Sequence, residues 1–161
     1  MSAALRILEA DIAQRAGSLI QAHAHWPCRK GCDACCRRLA APPSLTAPEW
    51  ERLREGIASL PAHAGAEVAS RIEAMPAAGP LTCPFLDRAE AACMVYEYRP
   101  VACRTYGFYR ERDRGLYCEE LHSRVERGEF GDPVWGNAAA IGERLRACGE
   151  TRTLREWSQV P

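Results

Sequence analysis

Cys28-Arg29-Lys30-Gly31-Cys32-Asp33-Ala34-Cys35-Cys36 puts four cysteines into nine residues, and how this stretch is read decides what kind of core the chain builds. If it is helical, offsets of 0, 4, 7 and 8 place all four sulfurs within an arc of about 100° at 3.6 residues per turn. If Gly31 instead takes a backbone angle open to glycine, the stretch is a tight turn in which Cys32-x2-Cys35 chelates as in a zinc knuckle. Both conformations cluster sulfur. Neighbouring side chains are expected to diverge, so Cys35 and Cys36 are not assigned together to one mononuclear ion: one of them serves a second metal, bridges, or stays unligated.

A second set of cysteines follows downstream. Cys83-Pro84-Phe85-Leu86-Asp87 and Cys93-Met94-Val95-Tyr96 read as two short strands joined over residues 88 to 92, which would set Cys83 opposite Cys93 near the open end of a hairpin. Pro100 suits the first position of a short helix carrying Cys103. Cys118 closes the set after the aromatic stretch Tyr106, Phe108, Tyr109 and Tyr117. The candidate metal ligands are therefore Cys28, Cys32, Cys35, Cys36, Cys83, Cys93, Cys103 and Cys118, of which Cys28, Cys32, Cys35, Cys83, Cys93 and Cys103 are expected to converge across nearly fifty residues of separation. Cys148, at the end of a helical segment, is read as a free thiol.

Helical patterns surround these motifs. Residues 3 to 25 carry Leu5, Leu8, Ile12, Ala16 and Leu19 at three- and four-residue steps and stop at Pro27. Thr46 and Glu49 have the spacing of a capping box, opening a helix with Trp50, Leu53 and Ile57 inward. Pro61 restarts helix toward Met75 through Val68 and Ile72. Residues 119 to 127 and 137 to 148 complete the pattern, the latter with Asn137 as N-cap and Gly149 as its stop. No internal repeat is expected. The fold class is mainly α with a small β-hairpin: a compact, cysteine-rich metal-binding domain flanked by N- and C-terminal helices. At 161 residues the chain suits one domain, 1–161, with the cysteine core over residues 24–120.

Composition narrows the function classes. Twenty-one basic and 21 acidic residues give a formal net charge of zero and a pI near 6.9, so no global field gathers nucleic acid or anionic membrane. Arg6, Glu9 and Asp11 interrupt the start of the chain where a signal peptide needs an unbroken apolar run, and no stretch reaches the ~20 apolar residues of a membrane span. A cytoplasmic location follows as the expectation, and in that reducing compartment clustered thiols are metal ligands or redox groups rather than disulfides. An odd total of nine cysteines also argues against complete pairing. Lys30 is the single lysine beside twenty arginines, which with abundant alanine suggests a high-GC bacterial genome.

Eight thiols suffice for two tetrahedral zinc ions or for one four-iron cluster with spare sulfur, and formal charge does not separate them. Arg99 and Arg104 flank Cys103 and, with Tyr96, are the candidate residues beside the cofactor, offsetting its negative charge or shielding it; the bland alternative is surface ion pairing with residues such as Glu97. Tyr106, Phe108 and Tyr109 are expected to pack around the metal as well. His23 and His25 are secondary candidates as nitrogen ligands, His63 and His122 weaker ones; Cys32 and Cys35 as a dithiol redox pair lack a thioredoxin-like βαβ context. Arg110-Glu111-Arg112-Asp113-Arg114 reads as a solvated turn. Three functions remain: a metal-binding module with a structural, storage or delivery role, favoured; an iron-sulfur redox or electron-transfer protein; and an enzyme or accessory component of a metal-dependent modification enzyme, which needs an open ligand position and an acid or base such as Asp33 or Glu97. A protein partner is left open.

Taken in order, Cys28-x3-Cys32-x2-Cys35-Cys36, Cys83-Pro-Phe-Leu and Cys93-x-Val-Tyr-Glu-x-Arg-Pro-x-x-Cys103-Arg-x-Tyr resemble the bacterial CxxCxxCC, or YkgJ-like, family of zinc- or iron-chelating domains, over roughly residues 24 to 120. The resemblance implies a metal-chelating module ligated by these cysteines. Related domains in the flagellin lysine methylase group imply an iron-sulfur cluster. The first gap departs from the family name, with three residues rather than two. No glycine-rich cofactor loop after a strand marks a full methylase here.

Overall fold

The computed structural model describes residues 2–160. Helix α1 (Ala3–Ala22) buries Leu5, Leu8, Ile12 and Leu19 along one stripe, the stripe their spacing dictates. It ends at His23 rather than at residue 25, because the chain turns back through Trp26 N–H to the His23 carbonyl (3.0 Å). That turn buries the Trp26 indole among Phe108, Phe130 and Trp135. Its Nε1 donates to the Gly107 carbonyl (3.2 Å).

The first cysteine motif then leads into α2 (Ala34–Arg37), a single turn. Strand β1 (Ser44–Thr46) runs directly into α3 (Ala47–Ala58), and α4 (Ala62–Glu73) follows. The expected hairpin is present as β2 (Leu86–Asp87) and β3 (Ala92–Cys93). A 3-10 turn at Tyr96–Tyr98 and helix α5 (Val101–Thr105) carry the chain past Cys103. Beyond lie β4 (Tyr109–Glu111), β5 (Arg114–Gly115), α6 (Glu119–Glu126), β6 (Gly136–Asn137), α7 (Ala138–Arg146), β7 (Thr151–Thr153) and α8 (Leu154–Ser158). Asn137 caps α7 as expected, its side chain accepting from Ala140 N–H (3.1 Å).

The mainly helical class holds, but the strand content exceeds one hairpin. Strands β4 and β5 pair antiparallel, β6 joins β4 in parallel, and β1 pairs antiparallel with β7 about Leu45 and Arg152. The solvated turn expected at Arg110–Arg114 is the β4–β5 hairpin, with Arg112 at φ 53° on its tip.

Thr46-Ala-Pro-Glu49-Trp50 and Thr153-Leu-Arg-Glu156-Trp157 are the same local device: a short strand, a capping box, then a buried tryptophan. The antiparallel β1–β7 pair sets the two copies back to back. A five-residue echo across about a hundred residues is too short to register as a repeat.

Two hydrophobic clusters form the interior. The first gathers α1, Trp26, Val101, Phe108, Tyr109, Leu121, Phe130 and Ile141. The second gathers Leu45, Trp50, Leu53, Val68, Ile72, Phe85, Val95, Leu154 and Trp157. Glu49 ties them together. Only 3% exposed, its carboxylate accepts Thr46 N–H and Oγ1–H on one oxygen and Val101 N–H on the other, each at 2.8 Å. An ion pair between Glu9 of α1 and Arg52 of α3 makes a second tie.

Candidate metal centre

The glycine-dependent turn, not the helix, describes the first motif. Gly31 sits at φ +91°, a conformation natural to glycine, and Cys32 N–H closes a turn onto the Arg29 carbonyl (3.0 Å). Helix begins only at Ala34 and carries Cys35 and Cys36. Their sulfurs are 4.0 Å apart, close to the roughly 3.8 Å between two ligands of a tetrahedral thiolate zinc. The expected divergence of this pair is therefore not found: both side chains face one cavity, so the pair fits one ion as well as two.

The second half is also arranged differently from the simple hairpin. Leu86, not Cys83, stands opposite Cys93. Pro84 has no N–H for a ladder, and Asp87 Oδ1 accepts from Ala89 and Glu90 N–H, tightening the loop so that pairing spans only two residues on each strand. Cys83 instead donates its backbone N–H to the Cys36 carbonyl (2.7 Å), next to a bridge between Leu39 and Leu81. The two motifs are thereby fastened to each other. Pro100 is the N-cap of α5, one position earlier than expected.

All eight predicted thiols border one of two adjoining cavities. A narrow one of about 70 Å³ is bordered by Cys32, Cys35, Cys36, Cys83, Cys93 and Cys103 and walled by Leu45, Leu53, Phe85 and Leu154. A wider one of about 310 Å³, against α1, is bordered by Cys28, Cys32, Cys35, Cys103 and Cys118. Cys148 borders neither; its thiol donates to the Arg144 carbonyl (3.4 Å). Among the described residues, no group of three or more His, Cys, Asp or Glu side chains is arranged so that it could hold a metal ion as it stands. The donors fit zinc or iron in kind and number: soft, half-buried, unpaired thiols from distant parts of the chain, gathered around shared cavities.

Burial and crowding favour the protonated thiols. Cys28 is pushed up to about 12 by burial and then by Cys118 and Cys32; Cys103 reaches about 12 through burial and then Cys36. Cys36 is drawn down by its contact with Cys35, but Cys83 and burial outweigh this and leave it at about 12. Cys35 is raised by Cys36 and by burial. Between pH 9 and 12 the folded, metal-free chain thus holds protons that the unfolded chain has released. Stability present below pH 9 is lost as pH climbs toward 12, by about 1.4 kcal/mol per pH unit for each such thiol. Urea unfolding of reduced, metal-free protein at pH 8 and pH 10 is expected to show this fall; equal midpoints would contradict it.

The residues proposed beside the cofactor separate. The Arg99 guanidinium lies over the Tyr96 ring (3.4 Å), both bordering the two cavities; burial raises the Cys93 and Cys103 thiols and Cys36 raises Cys35, and the Arg99 charge offsets part of each rise. Arg104 borders the wide cavity but turns to α1, pairing with Glu9 (3.4 Å) and donating to the Arg99 and Glu97 carbonyls. The sequence pairing with a Glu97 carboxylate is replaced by its backbone. Tyr106 and Phe108 border the wide cavity, whereas Tyr109 packs in the first hydrophobic cluster. His23 packs tilted against Trp26 and edge-on against Phe130, and His122 pairs with Glu126; neither borders the thiol cavities. Asp33 pairs with Arg37 (2.5 Å).

Gly107 is a site residue that sequence reasoning missed. It has φ +88°, and a Cβ there would stand 2.3 Å from Cys28 Sγ. Its place between Tyr106 and Phe108 was the available signal. Gly107→Ala is expected to shift Cys28 and lower metal affinity at least tenfold, with a stability cost of about 1–3 kcal/mol from strain and overpacking. Equilibrium dialysis against a competing chelator measures the first effect; wild-type affinity would refute the close approach.

Fold and site together define a small, mainly helical cysteine-cluster domain. A family model described as "Putative zinc- or iron-chelating domain", CxxCxxCC, matches residues 27–127, and the chain belongs to that family. Searches of curated proteins and of solved structures each returned no match. Family membership supports chelation of zinc or iron. Among the described residues, no helix is long and apolar enough to cross a membrane.

Proposed function

We propose that the protein is a metal-binding module that chelates zinc or an iron-sulfur cluster through Cys28, Cys32, Cys35, Cys36, Cys83, Cys93, Cys103 and Cys118. One observation carries this reading: thiols from both halves of the sequence border the same two adjoining cavities, while Cys148 stands apart. Arg99 and Tyr96 are the residues beside the centre, Arg99 offsetting thiolate charge and the Tyr96 ring covering sulfur from water. Arg104 acts at one remove, holding the Arg99 carbonyl. Keeping this many thiols reduced and ready for metal suits a reducing compartment such as the cytoplasm. Thiols packed on both hydrophobic clusters also favour one domain over residues 1–161, with its metal-binding core over residues 24–120.

Elemental analysis and a visible spectrum of anaerobically purified protein test the reading. Stoichiometric zinc with a colourless solution marks the zinc form, while iron with a brown, reducible chromophore marks the redox alternative. Protein that neither retains nor rebinds zinc or iron would overturn the proposal.

A further inference from the structure

The eight thiols do not make one evenly shared cluster. Cys28 and Cys118 pack on the first hydrophobic cluster, whereas Cys83 and Cys93 pack on the second. The cavities divide in the same way. Cys28 and Cys118 border the wide one and not the narrow one, Cys36, Cys83 and Cys93 the narrow one and not the wide one, with the remaining thiols on their common wall; Cys83 also borders an outer groove beside Arg71 and Met75. Each group draws on both sequence motifs, so the partition is not the one that chain order suggests.

We propose that the thiols form two adjacent metal positions of different character. The closed position belongs to Cys36, Cys83, Cys93 and Cys103, and the open one to Cys28, Cys32 and Cys118, with Cys35 between them. This deepens the chelation reading and rests on it. Four thiolates in a narrow, apolar-walled space satisfy a tetrahedral ion, the arrangement of structural sites that hold metal tightly. Three thiolates beside a wide cavity leave a four-coordinate ion one protein ligand short unless Cys35 turns to it. That is the arrangement of an exchangeable position. The wide cavity also carries Arg29, Lys30, Arg99 and Arg104 against Glu9, so anionic chelators and small anionic ligands are drawn to that side.

The experiment loads the full reduced chain with Zn²⁺ and measures stoichiometry and release. The wild type is expected to hold two zinc ions and to surrender them to a chromophoric chelator in two phases of equal amplitude, the fast phase at least tenfold faster. Cys28→Ser/Cys118→Ser should keep one zinc and lose the fast phase, while Cys83→Ser/Cys93→Ser should lose the slow phase. The kinetics of the intact chain stand even if a double variant fails to fold. A single zinc, a single release phase, or loss of all zinc from both folded double variants would overturn the two-position assignment and leave chelation intact. Binding of no metal by the wild type would overturn chelation itself.

Discussion

Cys35→Ser should empty the open metal position while leaving the closed one filled. Cys35 borders both cavities, lies 4.0 Å from Cys36 and shares the charge repulsion of thiols on each side. Serine keeps the size but supplies a hard, weakly acidic oxygen in place of a soft thiolate, so metal should be lost well beyond tenfold. A metal held at about a hundred times its dissociation constant stabilises a fold by about 2.7 kcal/mol, so the melting temperature of metal-loaded protein should fall by about 5–10 °C. Cys148→Ser should change neither metal content nor melting temperature. Metal analysis with a melting curve on the two variants checks both statements, and Cys35→Ser retaining full metal would exclude Cys35 from the open position.

Glu49→Ala should be the most damaging change outside the thiols. It removes the acceptor for a buried cap and for Val101 N–H, the first amide of the helix that carries Cys103. A lost cap costs about 1 kcal/mol and an orphaned buried N–H about 1–3, so metal-free stability should drop by about 2–4 kcal/mol. The fold supplies its own control. Glu156 makes the same capping box at Thr153 but is exposed and reaches no second helix. Glu156→Ala should cost clearly less than Glu49→Ala. Denaturant midpoints of both variants under reducing conditions test this, and equal costs would show that the Val101 bond contributes nothing. Because Glu49 positions Cys103 without touching metal, its variants should weaken metal binding while the spectrum of loaded cobalt stays that of the wild type.

The residues that announced themselves in the sequence did so through strong local chemistry. The helix faces of Leu5, Leu8 and Ile12, the Thr46–Glu49 box and the Asn137 cap all depend on neighbours within a turn or two, and each was found where expected. The ligand candidates were legible because cysteine is rare and its spacing conspicuous. What escaped was set by distant partners. Three residues at Ser44–Thr46 show no periodicity, so their pairing with Thr151–Thr153 had no local trace. The Cys93 register depended on Pro84 and on the Asp87 loop, and the approach of Cys35 to Cys36 on two side chains turning into one cavity. Gly107 earned its role only once Cys28 had been brought beside it.

The β1–β7 pair also has an order in time. Leu154 N–H donates to the Pro43 carbonyl (2.8 Å) and Trp157 Nε1 to the Leu45 carbonyl (2.8 Å), and Leu154 forms part of the wall of the narrow thiol cavity. Residues 151–158 follow all eight clustered cysteines in the chain. During synthesis the six thiols of the narrow cavity leave the ribosome before the segment that completes its wall. Leu154 is therefore the last residue of the narrow cavity's lining to be made.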